Sequence, residues 1–159
     1  MSWRLAALAV LAALVGMPAH THATEVVTVV PPSNVEVKPG AGTRIALQCV
    51  VKPGYHVQAN PVENPSLIPI TLKVDAVGSV SVGEPLYPAA KRLRLPGDSQ
   101  DLVVYDGTFV IALPLQIGRN ATAGAITLKG TLRYQACDDS HCLFPVTLPV
   151  ALAVTVVER

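Results

Sequence analysis

Strict alternation of apolar and other residues is the feature that most limits what this chain can fold into. In TRIALQCVV (43–51), Ile45, Leu47, Cys49 and Val51 fall on one side and Arg44, Ala46 and Gln48 on the other. A period of two marks a strand with one face in a core and one toward water. Similar stretches recur at LIPITLKVDA (67–76), KRLRL (91–95), TFVIALPLQI (108–117), AITLKGTLRYQA (125–136) and VTLPVALAVTVV (146–157). Turn formers separate them: KPGAG, KPGY, NPVENP, LPGD, YDG and GRNATAG. Seven or more short strands punctuated this way predict an all-β fold, an immunoglobulin-like two-sheet antiparallel sandwich. The 14 prolines agree, since proline at strand ends blunts sheet edges. The 159 residues are one domain's length and enough for a real core.

Residues 1–23 stand outside that pattern. Arg4 precedes the 13-residue apolar stretch LAALAVLAALVGM, which is short for a bilayer span. Pro18 and then THAT follow, with Thr21 and Ala23 suiting cleavage after Ala23. The expectation is a signal peptide over 1–23, a β-sandwich domain over 24–159, and a periplasmic protein with no stable membrane insertion after cleavage. Loss of Arg4 leaves 11 Lys and Arg against 11 Asp and Glu, a formal charge of zero. Nucleic acid and anionic lipid both demand a basic excess, so neither is the expected partner. His20 and His22 leave with the leader, so His56 and His141 are the histidines available for chemistry. Asn120-Ala121-Thr122 has the form of a glycosylation site, but between Gly118 and Gly124 it is expected simply to make a turn.

The segment YQACDDSHCLFP (134–145) breaks the strand pattern with two of the chain's three cysteines. Strands ending at Ala136 and resuming at Leu143 would set Cys137 and Cys142 on either side of a loop, 138–141. Facing residues of an antiparallel pair lie about 4.5–5.5 Å apart at Cα, within the roughly 4.4–6.8 Å a disulfide spans. As a brace, such a bond is weak: closing about six residues contributes on the order of 2 kcal/mol, against roughly 4.5 for a bond from Cys49 to Cys137. A dithiol that opens and closes explains more. Asp138 and Asp139 disfavour a thiolate at Cys137, whereas His141 can favour one at Cys142. Cys142 is therefore the expected attacking thiol, Cys137 the resolving thiol and His141 a thiolate modulator. Two other readings stay open. The bond can simply brace the hairpin of a binding module, or Cys137, His141 and Cys142 can take Cu(I) or Zn(II), although a structural zinc site wants four ligands. Cys49, by its parity with Ile45, Leu47 and Val51, is expected to be a buried free thiol. His56 is expected to be a strand or loop histidine with a hydrogen-bonded ring.

The segments GYHVQANPVENPSLIPITLKV (54–74), GEPLYPAAKRLRL (83–95), LVVYDGTFVIALPL (102–115) and LRYQACDDSHCLFPVTLPV (132–150) occur in an order that resembles the amino-terminal periplasmic domain of the thiol:disulfide interchange protein DsbD. The resemblance runs over roughly 30–157. It implies an immunoglobulin-like fold and protein thiol–disulfide oxidoreductase activity, an electron relay with no bound cofactor and no metal. By motif position Cys137 and Cys142 match the family's redox pair, with Cys142 the one that forms the mixed disulfide. A cap loop over the cysteines falls by chain order on 84–87, so Leu86 or Tyr87 would shield the pair. Four residues separate the cysteines here, against five in the best-known members. The partners implied are thioredoxin-like or membrane electron-carrier redox proteins, expected to be encoded separately.

Overall fold

The computed structural model describes residues 25–97 and 99–158. The expected signal peptide, residues 1–23, lies outside the described residues. Twelve strands follow in order: β1 (Val27–Val30), β2 (Val35–Val37), β3 (Gly42–Val51), β4 (His56–Gln58), β5 (Thr71–Val74), β6 (Val80–Val82), β7 (Lys91–Leu93), β8 (Leu102–Tyr105), β9 (Thr108–Ile117), β10 (Gly124–Tyr134), β11 (Ala136–Cys137) and β12 (Val146–Val156). Among the described residues no helix is long and apolar enough to cross a membrane.

The four long strands build the sandwich. In one sheet, ordered β1-β3-β9-β6, Ile45 faces Leu113, Leu47 faces Ile111 and Cys49 faces Phe109. In a second, ordered β2-β12-β10-β5, Leu128 faces Leu152 and Leu132 faces Leu148. The buried side chains of both sheets belong to one hydrophobic cluster. Each Leu, Ile or Val so placed contributes roughly 1.5–3 kcal/mol relative to exposure, and this burial fixes the register. Ladder pairs are antiparallel except β2 with β12, where Val35–Val37 runs parallel to Val154–Val156. Gly130 on β10 lets β5 approach closely: a Cβ there would lie 2.2 Å from the Lys73 carbonyl oxygen.

The immunoglobulin-like, all-β expectation holds, with an addition. A third four-stranded sheet, ordered β11-β4-β8-β7, is assembled from strands of two to four residues. Its β11 pairs Ala136 with Val57 and Cys137 with His56, and β4 pairs Val57 with Tyr105. Gly54, at φ +82°, makes the turn into β4, and Gly107, at φ +58°, makes the turn from β8 into β9. Both conformations suit a residue without a Cβ. This small sheet carries the cysteines.

Candidate functional site

The cysteine hairpin is set by its turn chemistry. The Asp138 side-chain Oδ1 accepts hydrogen bonds from the backbone N–H groups of Ser140 (2.7 Å) and His141 (2.8 Å). Those donors, His141 first, hold the Asp138 carboxyl below its ordinary pKa. Asp138 N–H donates to the His141 carbonyl (3.0 Å), and Leu143 N–H donates to the Ala136 carbonyl (2.8 Å). Between those two bonds Cys137 and Cys142 form a facing pair without backbone hydrogen bonds of its own, the class in which chains come closest. Their Cα atoms lie 3.9 Å apart, nearer than both the strand spacing and the usual disulfide span predict. The two sulfurs are joined in a disulfide.

The two halves of that bond sit in opposite environments. Cys137 is 2 % exposed, whereas Cys142 is exposed. A sulfur nucleophile from another molecule therefore meets Cys142 first. Cys137 lies on the same sheet face as its facing residue His56 and, one pleat on, Gln58. The Gln58 amide Nε2 donates to the Cys137 sulfur at 3.7 Å. His56 and Gln58 are both buried, and His56 Nε2 and Gln58 Oε1 have no hydrogen-bond partner. The sequence-based expectation for His56 is thus corrected at that atom. Its strand, β4, is buried at all three residues. Burial lowers the His56 pKa, opposed by the charges of Asp139, Asp106 and Asp138. A cleft of about 430 Å³, lined by Lys52, Tyr55, His56, Leu93, Asp106 and Asp139 among others, opens beside it.

The other expected site residues fall as follows. His141 is exposed, with Nδ1 3.3 Å from Asp138 Oδ1 on the far side of the turn. Leu86 exchanges backbone hydrogen bonds with Ala112 (2.8 and 2.9 Å), and the Tyr87 hydroxyl accepts one from Leu72 N–H (2.9 Å). Both line a cleft with Asn60, Pro61 and Leu72 among others, a lining that does not include the cysteines. Cys49 is a free, fully buried cysteine whose pKa burial pushes up to about 12, so it remains a thiol within the core. Among the described residues no group of three or more His, Cys, Asp and Glu side chains is arranged to hold a metal ion. The residues missed from sequence are Gln58 and the buried position of His56. The signal available was a pair of polar side chains at alternate positions in YHVQA, directly after the Pro53-Gly54 turn.

A family model described as "Thiol:disulfide interchange protein DsbD, N-terminal" matches residues 24–153. No curated protein sequence matches the chain. Among solved structures, the N-terminal periplasmic domain of ScsB from Proteus mirabilis is similar at a TM-score of 0.51 and 16 % identity, covering 87 % of this chain and 48 % of that one. The chain thus spans about half of that structure, and the likeness is one of fold. The reduced DsbD N-terminal domain of Neisseria meningitidis is similar at a TM-score of 0.47 and 18 % identity, covering 72 % of this chain and 80 % of that one. With the family model matching most of its length, this chain belongs to the family of the amino-terminal domain of the thiol:disulfide interchange protein DsbD.

Proposed function

We propose that this protein relays electrons by thiol–disulfide exchange at Cys137 and Cys142, acting as a protein thiol–disulfide oxidoreductase in the periplasm after removal of residues 1–23. The observation that carries this is the asymmetry of the pair, one cysteine exposed and its partner buried. A brace needs no such division of labour; an exchange site does, because the mixed disulfide must form at one sulfur and be resolved by the other. Redox partners of thioredoxin-like type, or a membrane electron carrier, would supply and take the electrons.

In the reducing direction the Cys142 thiolate attacks a client disulfide. A bond forms between Cys142 Sγ and one client sulfur, and the second client sulfur leaves as a thiolate. Cys137 must then lose its proton to attack Cys142 Sγ, restoring the intramolecular bond and expelling the first client sulfur. Two electrons pass to the client. An ordinary thiol is only about 3 % ionised at neutral pH, and burial lowers that further. His56, which faces Cys137 across the strand pair and whose Nε2 has no hydrogen-bond partner, is the acceptor assigned to the Cys137 proton. Gln58 Nε2 donates to the Cys137 sulfur and stabilises the thiolate as it forms. His141, the chain neighbour of Cys142, is assigned the role of favouring the Cys142 thiolate.

Alkylation of the reduced protein with limiting iodoacetamide tests the assignment of roles. Mass mapping is expected to find the label on Cys142 first, by a wide margin. Preferential labelling of Cys137 would overturn it.

A further inference from the structure

Phe144 is 89 % exposed, while the next most exposed large apolar side chains, Val30 and Leu86, reach 46 %. A single exposed apolar side chain is ordinary in itself, so a reason for this one must come from its position. Its place supplies one. After Cys142 the chain runs on without turning back. Leu143 points inward, partly buried against the core, with its N–H on the Ala136 carbonyl. Cys142 and Phe144, on either side of Leu143, are both exposed. Residues two apart in extended chain are roughly 6.5 Å apart, which puts the Phe144 position close to that of Cys142.

We propose that Phe144 is the docking anchor for the redox partner, inserting into an apolar surface next to that partner's reactive cysteine. This rests on the exchange function argued above. A protein that forms a mixed disulfide with Cys142 must bring its surface into contact there. A specific interface covers about 800 Å² per partner, a disc of roughly 16 Å radius, so Phe144 lies inside any such footprint. A buried aromatic ring contributes about 150–250 Å² of that area. The surroundings select the partner's chemistry. On one side of Cys142 stand the carboxylates of Asp138 and Asp139; on the other, Phe144 and the exposed Pro145 carry no charge. The surface that receives Phe144 is therefore apolar and uncharged, as suits a thioredoxin-like face.

The test compares two reductants of the oxidised protein: reduced thioredoxin, which must dock, and dithiothreitol, which need not. Phe144→Ser is expected to slow reduction by thioredoxin roughly tenfold or more, as truncation of a central aromatic anchor does, and to leave the dithiothreitol rate within about twofold. Phe144→Leu, which keeps an apolar side chain, is expected to restore most of the thioredoxin rate. Equal thioredoxin rates for wild type and Phe144→Ser would overturn the proposal, including the case in which thioredoxin is no faster than dithiothreitol. A wild-type dimer that Phe144→Ser dissociates without changing the thioredoxin rate would also overturn it, assigning the ring to self-association. If dithiothreitol fails to open the bond in the folded wild type, the exchange function itself falls, which separates that failure from failure of the anchor alone.

Discussion

Cys142→Ser is expected to abolish exchange with a protein disulfide, whereas Cys137→Ser is expected to let the reaction begin and then stop. A serine hydroxyl at neutral pH is not an effective nucleophile toward sulfur, so loss of Cys142 should lower the rate by on the order of 10³-fold or more. With Cys137 replaced, the exposed Cys142 still attacks, but no second thiol resolves the product, and a stoichiometric mixed disulfide should accumulate on non-reducing gels. The opposite pattern, with mixed disulfide on Cys137 in the Cys142→Ser protein, would reverse the roles. His56→Phe provides a third arm. If His56 accepts the Cys137 proton, the mixed disulfide should form at the normal rate and persist roughly a hundredfold longer, the low end of what a general base contributes. The resolving rate in the wild type should fall as pH drops below the ordinary imidazole value of 6.5, through a His56 pKa lowered by burial against the pull of Asp106, Asp138 and Asp139. His56→Phe should lack that inflection. A merely structural histidine would change stability and leave the pH profile alone.

Tyr134→Phe is expected to destabilise the fold by about 2–4 kcal/mol, a large share of the 5–15 kcal/mol typical of a domain. The Tyr134 side chain is fully buried, and its hydroxyl accepts hydrogen bonds from the backbone N–H groups of Val26 (3.1 Å) and Val27 (3.2 Å), more than a hundred residues away. Both valines are buried, so removing the oxygen strands two donors where water does not reach. Replacing one acceptor thus costs more than one ordinary hydrogen bond. Urea unfolding should show a lower midpoint with an unchanged slope. A change under about 0.5 kcal/mol would mean that β1 finds other acceptors. Tyr134 ends β10 one residue before Gln135 and β11, so this anchor also fixes where Cys137 emerges.

The long strands were legible because each has one wet face. β3, β9, β10 and β12 all run ten residues or more with burial that alternates along much of their length. β4 was not legible, because His56, Val57 and Gln58 are all buried and a strand covered on both faces has no period to read. β2 and β6 are three residues each, too short to carry a pattern. The same contrast governs the site. The cysteine pair is local: five positions apart, around an Asp138 turn whose chemistry is written in the residues themselves. The bond from Gln58 to Cys137 spans 79 positions and exists only once β4 lies beside β11, which no local pattern announces. Leu143 and Phe144 are both apolar, so composition alone does not say which one is inward. Parity counted from an exposed Cys142 does.

The most direct test of the central claim is the reduction potential of the 137–142 bond in the folded protein, measured by equilibration with glutathione or thioredoxin and read by thiol alkylation. An exchange site is predicted to equilibrate without unfolding at a potential above about −300 mV, within reach of redox proteins. A potential well below that value, or a bond that opens only when the protein is denatured, would mark Cys137–Cys142 as a structural brace and contradict the account.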